Sequence, residues 1–209
     1  MALEQEIKLL VKGEEKIDLS LLSYLSELSQ EIPRIDHLVS TYFDTPDLLL
    51  SQQRLGLRMR QINDHYLQTV KTSGSVKNGL HQREEWEYDL AGPEWDLSTL
   101  RMTPLLTMID DAETWSQLAP LFVTDFLRET MQLTLSDGTQ IELAYDCGEV
   151  RSGQLTTDIH EIELELKAGD SEQLAVVANV LSQQLNITLS DVSKAQMGYE
   201  LLTKSRNNG

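Results

Sequence analysis

Cysteine is all but absent from this chain of 209 residues: Cys147 stands alone. That excludes an internal disulfide framework and fits a reducing compartment, so the cytoplasm is the expected location. Positive charge is also scarce. Seventeen Lys and Arg face 34 Asp and Glu, for a formal charge of −17. A surface of that sign repels nucleic acid and anionic membrane, so neither is an expected partner. Any bound polyanion must meet a local basic cluster or metal ions. No apolar run is long enough to span a membrane. The first residues have no basic n-region and no apolar h-region, so no signal peptide is expected. The four His have no metal-binding spacing. No stretch rich in Pro, Gly or Ser separates two halves, and residues 1–209 are expected to form one domain, with 40% hydrophobic residues to build a core.

What the chain does have is strict alternation. Glu4-Gln5-Glu6-Ile7-Lys8 puts Glu4, Glu6 and Lys8 on one face of a strand over residues 3–12, with Ile7 and Leu9 on the other. Same-face carboxylates about 6.5 Å apart can share one hard cation or hold one each of two. The pattern returns. Arg58 and Arg60 alternate with Leu57 and Met59, and Thr69 with Lys71. Arg83, Glu85 and Glu87 alternate with Trp86 and Tyr88. Arg128 lies in a strand over 122–135. Glu142, Ala144 and Asp146 share a face after the Asp137-Gly138 hairpin signal, and Glu161, Glu163, Glu165 and Lys167 alternate with Ile162, Leu164 and Leu166. Helices are expected from Asp18 or Ser20 to about Glu31, from Pro46 to about Gln53, over 96–121 with a break at Pro104, from Ser171 to about Leu185, and from Val192 to Leu202.

Two architectures fit this patterning. In one, the charged faces meet water and the apolar faces form a sandwich core. In the other, about eight antiparallel strands close into a barrel with charge inside and apolar faces outward under helices. A charged interior is costly unless it is wet, paired or filled by a charged ligand. Arg and Lys beside carboxylates suit a polyphosphate, whose oxygens the cations bind directly and the carboxylates bind through Mg²⁺ or Mn²⁺.

Glu4-x-Glu6-x-Lys8, Tyr42-Phe43-Asp44-Thr45-Pro46, Leu57-Arg58-Met59-Arg60, Val70-Lys71, Arg83-x-Glu85-x-Glu87, Arg128, Glu142 with Asp146, Ile162-Glu163-Leu164-Glu165 and Ser193-Lys194 occur in that order along the chain. They resemble the CYTH domain, or triphosphate tunnel metalloenzyme, family. Thr103-Pro104-Leu105-Leu106, Pro120-Leu121-Phe122 and Ser136-Asp137-Gly138-Thr139 are most similar to its bacterial inorganic triphosphatases. Those proteins often carry a second, histidine-rich helical CHAD domain, which is not expected within these 209 residues. Met197 departs from the pattern, since similar proteins often have Arg there, and this puts only a peripheral basic contact in doubt.

The resemblance implies an α+β fold, an eight-stranded antiparallel tunnel flanked by helices. It also implies metal-dependent hydrolysis of inorganic triphosphate to pyrophosphate and phosphate. Glu4, Glu6, Glu163 and Glu165 are the implied ligands of Mg²⁺ or Mn²⁺, two ions in all. Lys8, Arg58, Arg60, Lys71, Arg83, Arg128 and Lys194 are the implied phosphate ligands. Asp146 and Glu142 would serve a second metal or orient the attacking water, with Lys71 and Arg58 beside them in catalysis. Glu85, Glu87 and Glu161 are supporting residues. The metal-site carboxylates, brought together, are expected to cost stability when no ligand is bound. Adenylate cyclase, thiamine or nucleoside triphosphatase and a non-enzymatic polyphosphate-binding module stay open as alternatives, and a homodimer is compatible with all of them.

Overall fold

The computed structural model describes residues 2–29 and 31–207. In chain order its elements begin with β1 (Ala2–Val11), a 3₁₀ turn (Leu19–Leu21), α1 (Ser23–Leu28), β2 (Arg34–Asp44) and α2 (Leu49–Gln52). Then come β3 (Leu55–Ile62), β4 (His65–Thr72), β5 (Ser75–Lys77), β6 (Leu80–Leu90), α3 (Leu97–Leu100), α4 (Leu106–Asp110) and α5 (Ala112–Ser116). The chain closes with β7 (Ala119–Thr134), β8 (Gln140–Ser152), β9 (Leu155–Ala168), α6 (Glu172–Gln184), β10 (Ile187–Leu189) and α7 (Lys194–Asn207). No helix among the described residues is long and apolar enough to cross a membrane.

The strands run antiparallel in the order β1-β9-β8-β7-β2-β3-β4-β6, and β6 returns to β1 with Glu4 opposite Arg83. This closes an eight-stranded barrel. β5 adds to β6, and β10 takes over β1 from Leu9 onward. The Asp137-Gly138 turn joins β7 to β8, with Gly138 at φ +87° and the Asp137 carboxylate accepting from the Thr139 N–H at 2.9 Å.

Period-2 alternation sends every second side chain outward, and two helical groups cover those faces. On one side Ile7, Leu9, Leu143, Ile162 and Leu164 pack against Leu19, Leu25, Leu174, Val177 and Leu181. On another, Leu57, Val70 and Trp86 pack against Leu50, Leu100, Leu105, Met108 and Ile109. At roughly 25 cal/mol per Å² these covers supply most of the driving force, an upper estimate for a realistic unfolded chain.

A third cluster departs from the expected charged interior. Leu38, Tyr42, Phe122, Phe126, Val150 and Ile159 share register faces with Arg58, Arg128 and Glu161, and α7 packs on them through Met197, Tyr199 and Leu201. The interior is therefore charged in one part and apolar in another. Met197 serves this packing.

Some helices differ from expectation. The stretch 18–31 is a 3₁₀ turn and a short α1, because Leu22 is extended (φ −86°, ψ 100°) and Leu21 points outward at 78% exposed. The buried pair is Leu19 and Leu25, six apart, which no single helical stripe accommodates. The stretch 96–121 holds three short helices, with Asp96 and Asp111 carboxylates accepting from Ser98 and Glu113 N–H groups at their starts. β7 already begins at Ala119, and Pro120 sits where the β2 register shifts, a place that tolerates a missing N–H. Asp170, not Ser171, accepts from the first N–H of α6.

Candidate active site

Cross-strand register assembles the interior face in rungs. Glu6, Glu165 and Glu142 line up across β1, β9 and β8. Lys8 and Glu163 form the next rung, and Glu161 and Asp146 pair on β9 and β8 one further step along. Opposite them, β3 supplies Arg58 and Arg60, β4 supplies Thr69 and Lys71, and β6 supplies Arg83, Glu85 and Glu87. All of these side chains except Asp146 and Glu161 line a cavity of about 980 Å³.

The acidic wall is neutralised from within. Lys71 Nζ lies 2.9 Å from Glu4 and 3.0 Å from Glu85. Arg83 pairs with Glu4 and reaches Glu6 at 2.6 Å. Lys8 pairs with Glu163 and lies 3.1 Å from Glu6. Arg128 donates to both Asp146 oxygens, at 2.7 and 2.6 Å, and pairs with Glu163. Lys194 lies 2.6 Å from Asp146 and 3.0 Å from Glu163, and pairs with Glu161. Glu165 and Glu142 sit nearer solvent and share Lys167, at 2.8 and 3.4 Å.

This pairing sets the titration. Burial pushes Glu163 up, but Lys194, Lys8 and Arg128 outweigh it and hold the carboxyl well below the usual range. Burial likewise opposes, and Lys71 and Arg83 overcome, the lowering of Glu4; Arg128 and Lys194 do the same for Asp146. At Glu161, Glu85 and Glu165 burial wins, and their carboxyls are raised.

The basic wall is less well matched. Arg58 donates to Thr69 at 3.1 Å and to Glu87 at 3.2 Å, with Glu85 at 3.7 Å, yet its buried Nε has no partner among the described residues. Arg60, 9% exposed, has no carboxylate within ion-pair distance among the described residues; its Nε donates to Ser40 at 2.9 Å. Burial, then Arg58 and Arg128, push Arg60 down to about 10. The Thr124 hydroxyl beside this row is also unpartnered among the described residues. Phe126 faces three cations, with Arg60, Arg128 and Lys194 at 6.0, 5.7 and 5.0 Å from its ring centre.

The donors facing the cavity from the acidic wall are carboxylate oxygens, a hard set that fits Mg²⁺ or Mn²⁺ and not a thiophilic metal. Each is held by a resident cation. The expected four do not form a single cluster. Among the described residues, the acidic trio within 4.8 Å of one another is Asp146, Glu161 and Glu163. Glu6 and Glu165 face each other on neighbouring strands, Glu6 buried and Glu165 half-buried, and Glu4 lies two residues before Glu6. The expected cost in stability without a ligand is not what the ion pairs indicate, since Glu4, Glu6 and Glu163 each touch at least two cations.

Residues 2–199 match the family model described as the CYTH domain. The chain belongs to the CYTH-domain family. An inorganic triphosphatase of Haemophilus influenzae is 34% identical over 205 residues, which are 96% of this chain and 56% of that protein. The chain thus spans little more than half the length of this relative. The CYTH barrel is also similar to a Hippeastrum protein described as a candidate adenylyl cyclase with a dominant triphosphatase activity, at TM-score 0.65, 20% identity and 94% and 95% coverage of the two chains. A Pyrococcus horikoshii protein aligns at TM-score 0.53, 15% identity and 94% and 98% coverage. These two likenesses are of fold.

The alternation gave no role to several residues that the CYTH barrel brings to its interior or beside its cavity. His81 lies opposite Glu6 and two residues before Arg83, so the period of β6 already placed it inward. Tyr42 packs beside Arg58 and Arg60, which with Lys71 lower its phenol against burial. Ser40, Thr124 and Phe126 carry no charge, and nothing in the alternation marked them. Asp44, quoted only as part of a motif, accepts from the N–H groups of Thr45, Leu50 and Ser51 and from the Tyr199 hydroxyl, which ties α2 to α7.

Proposed function

We propose that this CYTH barrel binds inorganic triphosphate and, with a divalent cation, hydrolyses it to pyrophosphate and phosphate. The observation that carries the reading is the unmatched basic wall of the cavity: among the described residues Arg60 lines it without a carboxylate partner, and Arg58 lines it with its buried Nε unpartnered. Buried donors left open in this way favour an oxyanion. The 34% identity to an inorganic triphosphatase supports the same substrate.

Water adds to the terminal phosphorus, the bridging P–O bond breaks, and pyrophosphate leaves. Such a step needs positioning and charge neutralisation more than a covalent nucleophile. Arg58, Arg60, Lys71 and Arg83 hold phosphoryl oxygens; Lys8 and Arg128 balance the carboxylates behind them. Glu4, Glu6 and Glu165 would hold Mg²⁺ or Mn²⁺, which would add charge neutralisation and a more acidic bound water; the fourth expected ligand, Glu163, is taken up by Lys8, Arg128 and Lys194. Of the two carboxylates proposed to orient the attacking water, Glu142 is partly exposed, with Gln132 and Lys167 beside its oxygens, whereas Asp146 is fully buried between Arg128 and Lys194. The reading therefore gives that role to Glu142. Glu85, between Arg58 and Lys71, and Glu87, on Arg58, offset the repulsion between these cations. The free thiol of Cys147 fits a reducing cytoplasm as the site of the reaction.

The test is product analysis with Mg²⁺ or Mn²⁺ and triphosphate, ATP or thiamine triphosphate. Triphosphate is expected to give the highest kcat/KM. Conversion of ATP to cyclic AMP at a higher kcat/KM, or binding of triphosphate without turnover, overturns the reading.

A further inference from the structure

Three buried carboxylates, Asp146, Glu161 and Glu163, converge to within 4.8 Å of one another on β8 and β9. Three acidic side chains so placed look like a metal site by composition. What stands among them is the ammonium of Lys194, the first residue of α7, in contact with all three. Its nitrogen lies 2.6 Å from Asp146 and 3.0 Å from Glu163, ordinary charge-assisted contact distances. The Phe126 ring faces the same ammonium at 5.0 Å. An aromatic face suits a compact cation, and it offers nothing to the waters that Mg²⁺ usually keeps.

We infer that Lys194 is a positioning residue, a built-in cation that keeps divalent metal out of this trio and confines it to the other carboxylates of the cavity, Glu4, Glu6 and Glu165. The tether sets the outcome. Lys194 is covalently attached through α7, which is itself held by Leu201, Met197 and Tyr199 on the apolar cluster and by the Tyr199 hydroxyl on Asp44. An intramolecular ligand of this kind acts at an effective concentration that free metal in solution must exceed. In this arrangement Lys194 is engaged with protein carboxylates and is not one of the phosphate ligands. The inference holds whichever phosphoanhydride the cavity takes.

Counting bound Mn²⁺ by equilibrium dialysis on the full chain, without substrate, tests it. The variants are Glu161→Gln and Lys194→Met. Glu161→Gln is expected to bind as many ions as the wild type, because the trio holds none. Lys194→Met is expected to bind one more ion per chain, and to show a larger rise in Tm on adding Mn²⁺ than the wild type. Loss of an ion in Glu161→Gln means that the trio is a metal site in the native protein and overturns the inference, even if Lys194→Met does not fold. A folded Lys194→Met with the wild-type ion count overturns it as well.

Discussion

At the scale of single residues the interior is a set of competing ion pairs, and removing one partner has different consequences on the two walls. Arg58 and Lys71 face the cavity from the side with open donors. A charge-assisted hydrogen bond is worth about 1.5–3 kcal/mol, so Arg58→Ala and Lys71→Ala are each expected to lower kcat/KM for triphosphate by roughly tenfold or more. Unchanged kinetics in both would remove these residues from the substrate path. Glu163 is the opposite case. It is met by Lys8, Arg128 and Lys194, and a neutral side chain there leaves three cations around one fewer anion. Breaking a buried ion pair from one side costs about 3–5 kcal/mol, so Glu163→Gln is expected to lower metal-free Tm on the order of 6–20 °C. Equal or higher Tm in chelator would show that repulsion among the carboxylates outweighs these pairs.

At the scale of elements, α7 decides the shape of the interior, and its approach depends on one glycine. A Cβ on Gly198 would lie 2.1 Å from two carbons of the Phe122 ring. That ring cannot turn aside: it stacks on Tyr42 at 4.6 Å, meets Tyr199 edge-on at 5.2 Å and is 2% exposed. Ala is intrinsically the better helix former, by about 1 kcal/mol, so propensity alone makes Gly198→Ala stabilising. Overpacking typically costs 1–3 kcal/mol and more where the neighbours are rigid, and here it is expected to win. Gly198→Ala should therefore melt lower than the wild type in thermal denaturation; a higher Tm would mean that α7 does not pack on Phe122 in this way. The short helices of 97–116 show the same dominance of packing. Their Asp96 and Asp111 caps were visible in the sequence, but their lengths follow from how Leu100, Leu105 and Met108 reach the outer face of β3, β4 and β6.

At the scale of the whole molecule, the pH profile sums two opposed groups of carboxylates. Glu4, Asp146 and Glu163 are lowered by their cations despite burial; the stability they contribute is present above the unfolded value and is lost as pH falls through the folded one. Glu85, Glu161 and Glu165 are raised, chiefly by burial. They bind more protons folded than unfolded, so stability falls as pH rises through their folded values. The ordinary Glu value of about 4.3 divides the two effects. Metal-free Tm is expected to rise on acidification from about pH 7 to about pH 5 and to fall below about pH 4, helped at first by relief of the −17 net charge. A Tm that declines steadily from pH 7 downward would refute the raised group.

The amino-acid sequence by itself determined the strands, their inward and outward faces and the residue types available to the site. Each of these follows from period-2 alternation, a local property that a one-residue slip would invert for a whole strand. Glu4, Glu6 and Lys8, or Arg83, Glu85 and Glu87, could be assigned to one face without knowing any neighbour. The order of motifs from Glu4 to Lys194 also carried the family. What only the tertiary structure decided is which charge meets which. Lys194 and Asp146 are 48 positions apart in the chain and in contact in space. No local rule distinguishes a lysine that waits for phosphate from one that fills a carboxylate cage. The interior role of Phe126 and Tyr42, the unmatched Arg60 and the division of the cavity into charged and apolar parts all arise from barrel closure and the docking of α7. Those contacts are long-range, and their energies depend on burial and on partner distance, neither of which is written in the spacing of residues along one strand.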